Sequence, residues 1–230
     1  KFYATDQPDL SLVTDAIRMF AKITNFEDLG GAIGQWNTGN IDTMNAMFIE
    51  SGFNENIGNW NVSKVTNFDG MFYQCPNFDQ DLGNWDISEA VTMRSFITTA
   101  SLATNSFTTE NYDKTLKGWA TLDPGETRIP LDVNVDIDLT RYCDAFVERA
   151  QLVNDYNWKI SDLGLGCPEN EKFITTWQVT NGETITIPTF SGATYSYLVE
   201  WGDNTTSVVT NDTPPSHTYQ FGRTYTIKIT

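Results

Sequence analysis

The sequence predicts an α+β solenoid of short strands and repeats of about 24 residues with helical caps, followed by a smaller all-β domain. Three observations predict it. Ile33-Gly34-Gln35-Trp36-Asn37, Ile57-Gly58-Asn59-Trp60-Asn61 and Leu82-Gly83-Asn84-Trp85-Asp86 repeat one phrase, and Phe48, Phe72 and Phe96 follow it at intervals of 24 residues. Helical spacing brackets the repeats on both sides. Past the stretch Gly164-Leu165-Gly166-Cys167-Pro168 that spacing disappears and short alternating runs replace it. A unit of this length cannot bury its own apolar face, so it must stack on copies of itself.

Taken in order, Pro8-Asp9 give a helix start, and Leu10, Val13, Ile17 and Phe20 share one helical face, the expected N-terminal cap. Within the repeats, Trp60-Asn61-Val62 and Trp85-Asp86-Ile87 alternate as short strands with the apolar residues inward. The half from Val65 to Phe72 is expected to turn or form a short helical segment on the opposite side. Beyond Phe96 the pattern lapses. Residues 110–120 read as a helix carrying Tyr112, Leu116 and Trp119, and 131–139 as an alternating strand with Val133, Val135 and Ile137 inward. Residues 144–156 form a second amphipathic helix with Phe146, Ala150 and Val153, and 157–162 a closing strand. Alternating runs at 173–177, 184–187, 195–201 and 225–229 read as strands.

The repeat unit, Gly58-Asn59-Trp60-Asn61-Val62-Ser63 through Met71-Phe72 to Phe78-Asp79, resembles that of BspA-like leucine-rich-repeat surface proteins of bacteria, over about residues 23–96. The fragment Ile23–Leu29 echoes Val65–Met71, and Tyr142-Cys143 with Trp158 is similar to the C-terminal cap of that family. Trp201-Gly202-Asp203-Asn204 and His217-Thr218-Tyr219 resemble the signature stretches of the polycystic-kidney-disease (PKD) domain, an immunoglobulin-like sandwich. Asn204 replaces the usual last glycine and tolerates the left-handed turn. The resemblances imply a leucine-rich-repeat solenoid over 1–167 with N- and C-terminal caps, and an all-β immunoglobulin-like sandwich over 168–230. They imply a secreted or surface-attached bacterial protein; the first residue, Lys1, is expected of a mature or excised fragment.

Composition narrows the function. Thirty acidic residues stand against fourteen basic ones, a net charge of −16, and no Lys/Arg cluster exists, which argues against nucleic acid or an anionic membrane as partner. No apolar run approaches the ~18 residues of a membrane span. Of three cysteines, Cys143 and Cys167 would close a helix onto the segment after Trp158, a link adding roughly 3 kcal/mol. Cys75 reads as a small buried apolar residue.

An enzyme is not expected. His217 is the only histidine and lies in the PKD-like stretch, and no phosphate-cradling loop is present. Asp132, Asp136 and Asp138 would share one strand face, where calcium would relieve their repulsion; a solvated acidic face is the plainer reading. Gln35, Asn37, Asn59, Asn61, Asn84 and Asp86 flank the three tryptophans and would form a ladder of amide and carboxylate groups suited to sugar hydroxyls or a peptide backbone. The same side chains would equally serve to bond each other or the turns. The expected function is therefore non-catalytic adhesion at a bacterial cell surface, with an extracellular protein or glycan as partner. Two alternatives stay open: an accessory region of a larger secreted hydrolase, and a calcium-stiffened structural envelope protein.

Overall fold

The computed structural model describes residues 2–4, 8–28, 32–98, 106–167, 173–189 and 195–230. Leu29, in the early echo of the repeat, and Pro168, at the expected domain junction, lie outside them. The chain divides into two compact units, Lys1–Gly166 and Cys167–Thr230.

The first unit is held together by backbone pairing between repeats. Segments 15–22, 43–50 and 67–74, with 92–98 after them, lie side by side as layers, linked by isolated parallel bridges at Asp15, Thr43, Asn67 and Thr92. The inter-layer bonds run one way. Ala16, Arg18, Phe20 and Lys22 donate their N–H groups to the carbonyls of Thr43, Asn45, Met47 and Ile49. Met44, Ala46, Phe48 and Glu50 donate in turn to Asn67, Asp69, Met71 and Tyr73. Alternate residues can aim at a neighbouring layer because the backbone passes into the left-handed region at matching places: Arg18, Ala46 and Gly70 have φ of 56°, 53° and 64°, and Lys22, Glu50 and Gln74 have φ of 64°, 56° and 55°.

Regular elements frame these layers. Strands β1 (Phe2–Ala4) and β2 (Phe26–Asp28) pair in parallel in register Phe2 with Phe26. A parallel sheet continues the ladder beyond the third layer, in the order β3 (Met93–Ile97), β4 (Asn134–Ile137), β5 (Lys159–Ser161). Helix α1 (Thr109–Trp119) starts at Thr108, whose side chain accepts from the Asn111 N–H. Helix α2 (Phe146–Asp155) has no cap of its own; the buried Asp113 carboxylate of α1 accepts the N–H groups of Cys143, Asp144 and Ala145 instead.

The core is a set of aromatic columns. Phe20, Phe48 and Phe72 stack with centroids 5.5 and 5.7 Å apart, and Phe48 and Phe72 each stack on a ring of their own layer, Phe53 at 3.8 Å and Phe78 at 3.7 Å. Each such pair adds about 0.5–1.5 kcal/mol beyond the area it buries. Tryptophan forms a second column with a polar handle. The indole N–H of Trp60 donates to the Ile33 carbonyl at 2.7 Å, Trp85 to Ile57 at 3.0 Å and Trp119 to Leu82 at 3.1 Å. Trp119 thus places α1 where a further repeat would stand.

This architecture corrects the expected fold. Among the described residues there are two α-helices, the sheets are small, and no leucine-rich-repeat solenoid of short strands with helical caps is formed. Residues 8–20, expected as a capping helix, are irregular backbone and turns with a bridge at Asp15; Arg18 at φ 56° breaks any helix there, and Ile17 faces outward. Trp60-Asn61-Val62 and Trp85-Asp86-Ile87 bury their apolar residues as expected but lie outside any strand. In α2 the buried residues are Phe146 and Leu152, whereas Ala150 is exposed.

In place of the expected immunoglobulin-like sandwich, the second unit holds two small antiparallel sheets. One orders β6 (Phe173–Gln178), β11 (Thr224–Ile229), β8 (Tyr197–Glu200) and β9 (Thr206–Val209); the other pairs β7 (Thr184–Thr186) with β10 (Ser216–Thr218). Their strands are three to six residues long, and their core gathers on Trp201, Tyr219 and Ile227.

Candidate functional site

The six polar residues flanking the tryptophans lie on loops whose shape comes from short-range hydrogen bonds. Asn37 Oδ1 accepts the Gly39 N–H at 3.3 Å, Asn61 Oδ1 accepts the Ser63 N–H at 3.1 Å, and Asp86 Oδ1 accepts the Ser88 N–H at 3.0 Å. All three are Asx turns, in which a short side chain replaces a backbone acceptor. The residue after each tryptophan is therefore committed, at least in part, to holding its own loop.

Asn59 and Asn84 are placed differently. Both are exposed. Each stands between two Asx turns, since Asn56 Oδ1 accepts from Gly58 N–H at 3.0 Å and Asp81 Oδ1 from Gly83 N–H at 2.8 Å. The neighbouring indoles of Trp60 and Trp85 anchor the same loops to the layer before. Gln35 is the exposed counterpart one layer earlier, on a 3-10 turn over Ile33–Gln35. The structure thus gives the predicted ladder two rows: Gln35, Asn59 and Asn84 on pinned loops, and Asn37, Asn61 and Asp86 doing the pinning. Sequence reading missed Asn56 and Asp81; their signal is the Asn-x-Gly and Asp-x-Gly spacing.

The three aspartates proposed for calcium do not converge. Asp132 is exposed, takes a left-handed φ of 61° and accepts from Asn157 Nδ2. Asp136 Oδ2 accepts the Ser95 N–H at 2.7 Å. Burial, then the nearby Asp136, pushes the Asp138 carboxyl above its usual range. Among the described residues, no group of three or more His, Cys, Asp or Glu side chains is arranged to hold a metal ion.

A disulfide is present: Cys143 and Cys167 are both disulfide-bonded, and Cys75 is free and buried. The Cys75 thiol donates to the Phe48 carbonyl and contacts Ser51 Oγ, and burial pushes its pKa up, which keeps it a thiol.

His217 sits in a polar corner of the second unit. Its Nε2 is 2.7 Å from Asp203 Oδ2 and 3.5 Å from Thr205 Oγ1, and its ring stacks on Trp201. A nucleophile–histidine–carboxylate relay needs the two partners on opposite ring nitrogens. Here both meet the same one, so this cluster does not make a relay. Burial works to raise the Asp203 carboxyl, but hydrogen bonds from Thr205 and His217 outweigh it and hold it below its usual range. Asn204 takes the left-handed conformation expected of it, φ 69°.

No helix among the described residues is long and apolar enough to cross a membrane. The class of protein that emerges is one of stacked, turn-pinned repeats followed by small antiparallel sheets. Residues 2–119, a little over half of the chain, match the family described as "Mycoplasma protein of unknown function, DUF285", and the chain belongs to that family. No curated protein and no solved structure matches it.

Proposed function

We propose that the chain is a non-catalytic binding protein of a bacterial cell surface, whose row of Gln35, Asn59 and Asn84 engages an extracellular protein or glycan. The observation that carries this reading is the pair Asn59 and Asn84: exposed amides at equivalent places in successive repeats, each on a loop held by two Asx turns and an indole anchor. Each amide offers two donors and one acceptor, the mix that sugar hydroxyls and peptide groups require. A pinned loop loses little freedom on binding, so less of the contact energy is spent on ordering. The likeness of the repeat to BspA-like surface proteins supports the same reading.

The test is a screen of the intact chain against a glycan array and immobilised matrix proteins. Saturable binding is expected. In Asn59→Ala/Asn84→Ala it should weaken by about tenfold, equivalent to about 1.4 kcal/mol, with the melting temperature unchanged. Asn61→Ala should lower the melting temperature, because it removes a turn rather than a contact. No binding to any surface, or binding indifferent to the double variant, overturns the reading.

A further inference from the structure

The row of Gln35, Asn59 and Asn84 has a fixed step and a fixed length. Each of its loops leans on the next: a Cβ at Gly34 would fall 2.5 Å from the Asn56 carbonyl oxygen, and one at Gly58 would fall 3.1 Å from that of Asp81. The glycine ahead of each amide thus lets successive loops touch. The step between amides is therefore the step between layers, about 4.8 Å where parallel backbones pair and 6.4 Å between the indoles of Trp36 and Trp60. A step of that size is spanned by a single pyranose ring of an extended β-linked chain.

The row stops at Asn84. Trp119 of α1 takes the place of the next tryptophan, so Gly118 stands where a fourth amide would, and its backbone lies too close to Gly83 for any side chain. At the other end Gln35 is the first amide of the row among the described residues. These loops offer little main chain to a visitor. The N–H groups of Gly58 and Gly83 are held by Asn56 and Asp81. Those of Trp60 and Trp85 are held by the carbonyls of Ile57 and Leu82, which also take the indole N–H groups of the following layer. What is left is side chain: the amides of Asn59 and Asn84 are exposed and without a hydrogen-bond partner among the described residues. A peptide added as a strand needs main-chain partners, whereas sugar hydroxyls need groups that both donate and accept, as an amide does. Charge narrows the class further. The carboxylates of Asp81 and Asp86 lie to either side of Asn84 in a chain of net charge −16, and they would repel an anionic polymer.

We infer that the row is a three-place site for a linear, uncharged, β-linked polysaccharide laid across the layers, with one sugar ring at each of Gln35, Asn59 and Asn84. This rests on the binding row proposed above and names the class of its ligand. Each amide meets the hydroxyls of its own ring, so affinity grows with the length of the ligand only until the row is filled.

Titration calorimetry of the intact chain with β-1,4-linked glucose oligomers of one to six units, and with the N-acetylglucosamine series in parallel, tests this. In at least one series binding should tighten by about fivefold per sugar up to three sugars and then level off. Asn84→Ala should move the plateau to two sugars while keeping the melting temperature of the parent, because its side chain holds no turn. Oxidising the C6 hydroxyls of the glucose oligomers to carboxylates should weaken binding by about tenfold. Silence of both series, an affinity independent of length, a rise that continues past three sugars, or tighter binding of the oxidised oligomers overturns the inference. If both series are silent while an immobilised matrix protein is captured, and Asn59→Ala/Asn84→Ala abolishes that capture, this inference fails and the binding row itself stands.

Discussion

At the scale of single residues, polar side chains here act mostly on backbone within their own loop or the next layer. Trp60 is the clearest case: its ring fills the column between repeats while its N–H satisfies a carbonyl that the stacking buries. A buried acceptor left without a donor costs about 1–3 kcal/mol, so the ring alone would be a poorer filler. Asp203 offers a titratable version of the same principle. Its carboxyl is held below the usual range, so the folded state binds its proton less readily than the unfolded chain does. The stability it contributes is complete above the ordinary aspartate value of about 3.9 and is lost as pH falls through the lower folded value. Hydrogen exchange in peptides spanning 197–220 should show wild type losing protection across that window, with Asp203→Asn less protected at neutral pH and flat through it. Parallel pH profiles for the two proteins would assign the acid sensitivity elsewhere.

At the scale of elements, α1 shows how a helix takes the place of a repeat. Trp119 supplies the indole bond, Thr115 Oγ1 accepts the Leu82 N–H, and the backbone of Gly118 passes so close to Gly83 that a Cβ on Gly118 would fall 2.1 Å from the Gly83 oxygen. Gly118→Ala should therefore lower stability by about 1–3 kcal/mol, visible as an earlier urea midpoint, whereas the exposed Lys114→Ala should leave it in place. Helix α1 and strand β4 were legible in the sequence because Tyr112, Leu116 and Trp119, and Val133, Val135 and Ile137, keep one strict period each. The layers were legible as stacked repeats, through their spacing of 24 residues, but their local structure was not. Leu10, Val13, Ile17 and Phe20 match a helical face in spacing alone: the segment is built from i→i−3 turns, in which Leu10 and Phe20 are buried while Ile17 faces outward. Only the left-handed φ at Arg18 and Lys22 separates the two, and neither residue type announces it. The candidate site was half legible for a related reason. A column of Asn and Asp is visible from spacing, while the division into pinned and pinning residues depends on which N–H lies two residues on.

At the scale of the whole molecule, the net charge of −16 works against compactness. The described ion pairs are mostly exposed, such as Lys114–Glu110 and Arg128–Glu89, and pairs of that kind contribute little. Less exposed are His217 with Asp203, and Arg149 on the buried Asp162, 2.7 Å apart, which also receives the Tyr112 hydroxyl. Raising sodium chloride from about 0.1 M to about 1 M shortens the screening length from about 10 Å to about 3 Å. The thermal midpoint should rise over that range as repulsion is muted. A falling midpoint would mean that attractive pairs outweigh the excess acid.

The tryptophan column has an optical consequence. Trp36 and Trp60 lie 6.4 Å apart with ring planes only 11° from parallel. Two chromophores at that separation share their excited states instead of absorbing separately. The folded chain should accordingly carry a split circular-dichroism band in the indole region, and replacing either ring by phenylalanine should remove that pair's share of it, leaving the contribution of Trp119 and Trp158, which lie 6.0 Å apart at 47°. The repeat would then carry its own reporter: the share of the couplet lost in either variant reads the registry of the second and third layers directly, without a label, and goes when those layers part.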